Sequence, residues 1–246
     1  LLLKLLNIIR YILKILMTRL FVYSFIHREY KEKFNMSFDK ELIHYWDEYY
    51  KKDNVPSFPS PFAEYVANKL SNQQTILEVG CGNGRDAKFL ASQGHLVTGL
   101  DRSGEAIELC KKLYSVESLE FFFGTIADIE KINKKKYDLI YSRFVIHAMS
   151  LNEEIKTLNM SHKLLNKDGQ FFIECRSIND PLSSKGDILS NTERIEGHYR
   201  RFIILEEFKQ RLVQVGFKII KTIESNGLAK FGKDDPVVIR VHAIKA

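Results

Sequence analysis

The chain has 246 residues, of which 45% are hydrophobic, and its formal net charge is +6. That length suits one α/β domain with an added arm, or at most two small domains, and excludes a larger architecture. Five of the six net positive charges fall in residues 1–35, so the rest is close to neutral and a general nucleic-acid surface is not expected.

Residues 1–26 are mostly Leu, Ile, Phe and Val, interrupted by Lys4, Arg10, Lys14 and Arg19. A membrane-spanning helix wants about 20 apolar residues with few charges, and a signal peptide keeps its charges at the start; neither pattern fits. Lys4, Asn7, Arg10, Lys14 and Thr18 share one stripe of a helical wheel, which describes a basic amphipathic helix suited to an anionic membrane surface. The competing reading makes residues 1–35 a mis-assigned start, with translation beginning at Met17 or Met36. The cysteines Cys81, Cys110 and Cys175 form neither a disulfide framework nor a zinc pattern. They point to a reducing cytoplasm, with peripheral contact on the inner face of the membrane under the first reading, and to no metal.

Beyond the arm, the domain is expected over residues 36–246. Residues 38–51 carry Leu42, Tyr45, Trp46 and Tyr49 at helical spacing, as a helix packed on the domain or a lid. A proline-rich linker (55–61) leads into a helix over 61–70. Strands are expected at 75–79, 95–100, 119–123, 137–141 and 170–175. The intervening helices run from Gly84 to near Gly94, from the Ser103 cap to Tyr114, and over 152–165. Residues 176–204 read as an irregular insertion. A helix over 205–215 and strands at 217–224 and 237–244 complete the chain, the last two pairing antiparallel. The result is a Rossmann-like, doubly wound α/β sheet, mostly parallel with an antiparallel last strand, plus an N-terminal helical arm.

Ligands in such a sheet lie beyond the carboxyl ends of the parallel strands. That rule selects Gly80–Gly84, Asp101, Gly124–Asp128, Ser142–His147 and Glu174–Arg176. The run Glu78-Val-Gly80-Cys81-Gly82-Asn83-Gly84 has glycines at alternate positions after a strand, and Asp101 ends the next strand where it can accept from ribose hydroxyls. A dinucleotide fingerprint spaces its glycines G-x-G-x-x-G instead, and an acid two residues before the first glycine suits a cationic cofactor better than a diphosphate. Over residues 60–246 the chain resembles the class I S-adenosylmethionine-dependent methyltransferases, whose motif reads E/D-x-G-x-G-x-G.

The resemblance implies S-adenosyl-L-methionine as cofactor, held by Glu78, Gly80, Cys81, Gly82, Asn83, Gly84, Asp101, Arg102 and Ser142. Adenine is expected at the loop after the third strand. There either Thr125 and the Ile126 backbone read it, or Asp128 does. The family places an acid at the position of Thr125, so this loop departs from the pattern. Asp86 is expected to be structural. His147 stands beside the expected methyl position as base or orienter. Arg143, Arg176, His198, Tyr199, Arg200 and Arg201 gather basic and hydrogen-bonding groups that could clamp an anionic substrate. The leading expectation is methyl transfer, at oxygen, to a small anionic acceptor, including phosphorylated or surface-polysaccharide precursors. The alternatives are an NAD(P)-dependent oxidoreductase and a non-enzymatic, membrane-docked module.

Overall fold

The central strands read as near-continuous apolar runs because helices cover both of their faces. The computed structural model describes residues 40–52 and 55–246. The basic arm expected over residues 1–26 lies outside the described residues. Helix α1 is described over 40–50, and residues 45–246 make up one unit by packing. Then follow α2 (Pro61–Ala67), β1 (Thr75–Val79), α3 (Arg85–Ser92), β2 (Leu96–Asp101), α4 (Gly104–Leu113) and β3 (Leu119–Phe123). Next come α5 (Ile129–Ile132), β4 (Tyr137–Arg143), α6 (Leu151–Leu164) and β5 (Leu165–Arg176). The chain ends with β6 (Asp187–Ile188), β7 (Glu193–Glu196), β8 (His198–Arg201), α7 (Leu205–Val215), β9 (Phe217–Ser225) and β10 (Val238–Lys245).

Seven strands form the main sheet in the order β3-β2-β1-β4-β5-β10-β9, with β10 antiparallel to both of its neighbours. Side chains alternate between two cores, as the pleat requires. Leu77, Ile140, Phe171 and Ile173 meet Leu158 of α6 and Phe208 and Leu212 of α7. Ile76, Leu139, Tyr141 and Phe172 meet Phe62 of α2, Leu90 of α3 and Ile107 of α4. The sheet is therefore doubly wound. A dinucleotide-binding fold continues with a sixth parallel strand; the antiparallel β10 separates this sheet from it.

The register aligns Val79 with both Leu100 and Ser142, and Ser142 with Ile173. The carboxyl ends of β2, β1, β4 and β5 thus form one continuous rim, on which the site is built. Capping holds the helices at that rim. Ser103 accepts from Ala106 N–H, and Ser150 and Glu153 form a reciprocal capping box at α6.

Three boundaries differ from expectation. The helix over 61–70 ends at Ala67, and β5 starts at Leu165, five residues early, running through Asp168 at φ +59°. Residues 176–204 are not irregular throughout: β6, β7 and β8 make an antiparallel sheet of their own. Its base is stitched to the end of β5 through Ile203 N–H to the Arg176 carbonyl and Ile178 N–H to the Ile203 carbonyl. No helix among the described residues is long and apolar enough to cross a membrane.

Glu154, fully buried on α6, joins this insertion to α7. It accepts from Arg201 of β8 and, at 2.5 Å, from Nε of Arg211 on α7. Removing one partner of a buried ion pair leaves charge uncompensated, at a cost of about 3–5 kcal/mol. Glu154→Ala is therefore expected to lose about that much in urea unfolding. Glu206→Ala, whose exposed carboxylate pairs only with Lys209, is expected to stay within about 0.5 kcal/mol of the parent.

Candidate active site

The chain turns from β1 into α3 on left-handed residues, Gly80 at φ +72°, Gly82 at +54° and Gly84 at +73°. Conformation is half of the reason for glycine; space is the other half. A Cβ on Gly80 would stand 2.1 Å from Val145 Cγ2, and one on Gly82 would stand 2.1 Å from the Tyr50 hydroxyl. The loop is bent back onto β2. Gly80 and Cys81 N–H both donate to the Leu100 carbonyl, at 2.7 and 3.0 Å. Gly82 N–H donates to Asp101 Oδ2 at 2.8 Å, while Asp101 Oδ1 accepts from Ser103 N–H. Burial raises the Asp101 carboxyl pKa, and those two N–H groups oppose the rise.

Glu78 lies on β1 beneath the loop, 3% exposed, and its Oε2 is buried with no partner among the described residues. Burial, with Asp86 nearby, pushes its carboxyl well above the usual range. A buried carboxylate without a donor is a place for a ligand's cation. Two further polar atoms on the rim, Ser142 Oγ and Arg102 Nη1, are buried with no partner among the described residues. Arg102 is held from its other side by Glu153, at 2.8 Å. Glu78, Gly80, Gly82, Gly84, Asp101, Arg102 and Ser142 thus lie at or just beyond the carboxyl ends of β1, β2 and β4.

Three residues of the expected cofactor set do other work. The Asn83 amide donates to the Pro56 carbonyl at 2.8 Å, on the linker side of the loop, so its side chain is spent on structure. Cys81 packs under the loop with its thiol buried and its N–H already bonded to Leu100. Thr125 gives both of its donors to Asp128 Oδ2, at 3.0 and 2.8 Å, which lowers the Asp128 carboxyl pKa and closes that loop on itself. The Ile126 side chain points into the core, leaving only its backbone for a ligand. Asp86 is structural as expected: it accepts from Ser60 N–H, Ser60 Oγ and the Tyr141 hydroxyl.

Residues on β8 expected to act together are split by the pleat. Tyr199 and Arg201 turn away from His198 and Arg200. The Tyr199 hydroxyl donates to Glu193 at 2.6 Å, and Arg201 bonds the Met149 carbonyl and Glu154. Neither is positioned for substrate. Arg176 is also engaged, by Asp180 at 2.9 Å and by Asp234. Arg143 donates to Glu174 at 2.9 Å, and Glu174 accepts from Arg240 at 2.7 Å as well. Arg200 differs from these: it donates to the Glu196 backbone carbonyl at 2.9 Å and has no carboxylate partner among the described residues.

His147 is buried in a 3-10 turn after β4, and its Nδ1 accepts from Arg176 N–H at 3.1 Å. Burial first, then the charges of Arg176 and Arg200, hold the ring well below its usual pKa. The neutral ring therefore carries its proton on Nε2, and its basic lone pair is taken. His147 can orient a ligand by donating; the base role does not fit. Phe144, at φ +60°, lies 4.2 Å under the Arg143 guanidinium and edge-on to His147. A bulky side chain in that conformation costs about 1–3 kcal/mol and clusters at functional sites.

Helix α1 supplies what the sequence reading left unassigned. Tyr45 lies against His198 with ring centroids 4.3 Å apart, and Trp46 meets the same ring edge-on at 5.2 Å. Asp47 accepts from Ser103 Oγ at 2.6 Å, fastening α1 to the start of α4. The only available sequence signal was four aromatics in six residues, Tyr45, Trp46, Tyr49 and Tyr50.

His198 has its ring pushed down to about 3 by burial, Arg200 and Arg176. An unfolded histidine titrates near 6.5. Below that pH the unfolded chain takes a proton that the folded one refuses, so stability falls as pH drops from about 6.5 toward 3. His198→Phe is expected to make the acid limb of a Tm-against-pH curve shallower, with no change above pH 7.5.

A family model described as a methyltransferase domain matches residues 44–222. An uncharacterized methyltransferase of Schizosaccharomyces pombe is 24% identical over 149 residues, covering 59% of this chain and 57% of that one. The ubiquinone biosynthesis O-methyltransferase of Vibrio vulnificus is 34% identical over 82 residues, 31% of this chain and 34% of its own. The chain thus spans little more than half the length of the first of these relatives and about a third of the second. Among solved structures, the Burkholderia thailandensis 1,6-didemethyltoxoflavin-N1-methyltransferase, with its substrate and S-adenosylhomocysteine bound, superposes with a TM-score of 0.58 at 19% identity. That superposition covers 76% of this chain and 77% of that one, and it shows a shared fold.

Proposed function

The chain belongs to the methyltransferase-domain family, and from that membership we propose that it moves a methyl group from S-adenosylmethionine to an oxygen of a small anionic acceptor. The observation that carries the cofactor half is Glu78, a buried carboxylate whose Oε2 has no partner, under a glycine loop too tight for any side chain. Burial disfavours its ionised form, and the cationic methionyl end of the cofactor would favour that form. Asp101 retains lone pairs for ribose hydroxyls, and Ser142 Oγ and Arg102 Nη1 are free to meet other polar atoms. The loop 124–128, locked by Asp128, offers the Ile126 backbone to adenine.

When bound, the cofactor supplies a sulfonium-activated methyl group open to in-line displacement, a reaction accelerated chiefly by position. His147 orients the acceptor through Nε2–H, and Arg200 provides the uncompensated charge that an anion needs. Oxygen is favoured over nitrogen because that charge selects anionic oxygen; the Vibrio relative is likewise named for O-methylation. Phosphorylated or carboxylated sugar precursors of bacterial surface polysaccharides belong to this acceptor class.

Glu78→Gln tests the cofactor half. A hydrogen bond to a charged group is worth about 1.5–3 kcal/mol, or roughly tenfold or more in affinity. The variant is expected to bind S-adenosylhomocysteine at least about tenfold more weakly in equilibrium dialysis. Its Tm is expected to be equal or higher, since the carboxylate has no protein partner to lose. Unchanged affinity would remove Glu78 from the site.

A further inference from the structure

We infer that the acceptor enters with its attacking oxygen already ionised, as a carboxylate, phosphate or acidic enolate, and that this chain supplies a counter-charge and an aromatic wall but no base. The inference rests on the methyl-transfer reading above and narrows its acceptor class.

The argument is a census of lone pairs and charges around the end of β4 and β5. The carboxylates recorded there are engaged: Glu174 lies between Arg143 and Arg240, Asp180 and Asp234 both hold Arg176, and Glu224 accepts from Ser177 Oγ and the Asn179 amide. The Glu196 side chain is exposed, and only its backbone carbonyl meets Arg200. The basic nitrogen of His147 is occupied by Arg176 N–H at 3.1 Å. His198 keeps an unpartnered, buried Nδ1, but two guanidiniums flank the ring and hold it neutral, far from the pKa a useful base needs. Tyr45 is a phenol raised in pKa by burial, and so a donor. None of these groups offers a free basic site suited to take a proton at neutral pH.

Charge points the same way. Arg143 and Arg240 are matched by Glu174, and Arg176 by Asp180 and Asp234, whereas Arg200 has no carboxylate partner among the described residues. One oxyanion would complete the set. The Tyr45 and His198 rings, tilted against each other at 4.3 Å, with Trp46 edge-on, give its carbon skeleton an aromatic boundary. The transfer then balances without a proton: the acceptor oxygen forms a bond to the methyl carbon, the carbon–sulfur bond breaks, and its electron pair stays on sulfur. The acceptor's negative charge and the sulfonium's positive charge cancel.

The test uses the full chain saturated with S-adenosylhomocysteine and titrated calorimetrically with 4-hydroxybenzoate, phenyl phosphate, glucose 6-phosphate and benzyl alcohol. A second arm offers the same four compounds with methyl-labelled S-adenosylmethionine and treats the products with mild alkali. We expect at least one anion to bind and benzyl alcohol not to bind. Arg200→Gln should weaken the anion about tenfold while leaving S-adenosylhomocysteine affinity unchanged. Label placed on 4-hydroxybenzoate should be an alkali-labile ester rather than a stable aryl ether. A stable ether, equal binding of the neutral alcohol, no binding of any anion, or indifference to Arg200→Gln would each overturn the inference while leaving methyl transfer standing. Failure to bind S-adenosylhomocysteine at all would bring down the methyl-transfer reading itself.

Discussion

The site depends on β2 capturing the glycine loop. The Leu100 carbonyl takes two N–H groups from Gly80 and Cys81, and the Asp101 carboxylate takes a third from Gly82. These bonds force the chain to reverse within three residues after β1, which left-handed glycines permit. Glu78 lies buried on β1 just before the loop. Val145 and the Tyr50 hydroxyl lie so close to Gly80 and Gly82 that a Cβ at either position would meet them. A side chain at Gly82 would have to displace the Tyr50 hydroxyl, and with it the seat of α1.

The rim is divided by charge. On the cofactor side Glu78 has an oxygen with no partner among the described residues, while on the acceptor side Arg200 has no carboxylate partner among them. A buried charge persists only if it is paired or if a ligand completes it. Among the described residues, Arg143, Arg176 and Arg201, which looked like substrate contacts, are paired with carboxylates. Glu78 and Arg200 have no such ionic partner among the described residues, are opposite in sign and sit on the two halves expected to meet a cationic donor and an anionic acceptor. Histidines beside those arginines stay neutral, which turns His147 from a base into a hydrogen-bond donor.

Much of the fold was legible because doubly buried strands read as apolar runs and because alternate glycines have few uses other than a tight, positive-φ turn. Ser103 and Asp101 were legible for similar reasons, each sitting at a strand or helix end where its chemistry is needed. The acceptor side was less so. In one dimension, His198, Tyr199, Arg200 and Arg201 look like a single cluster; once they form a strand, alternate residues face opposite ways. Arg176 and Arg240 find their acids 58 and 66 residues away, and Asn83 finds its carbonyl 27 residues back. Such pairings exist only in the folded chain. The α1 aromatics were visible as a helix face, yet nothing in their spacing told which ring they would meet.

The central claim is that a buried acid with no partner among the described residues, beneath a tight glycine turn, selects a nucleoside with a cationic amino-acid end over a diphosphate cofactor. Parallel calorimetric titrations of the full chain with S-adenosylhomocysteine and with NADH test it most directly. Saturable, one-to-one binding of S-adenosylhomocysteine with no heat from NADH is the predicted result. Saturable binding of NADH with none of S-adenosylhomocysteine would contradict it.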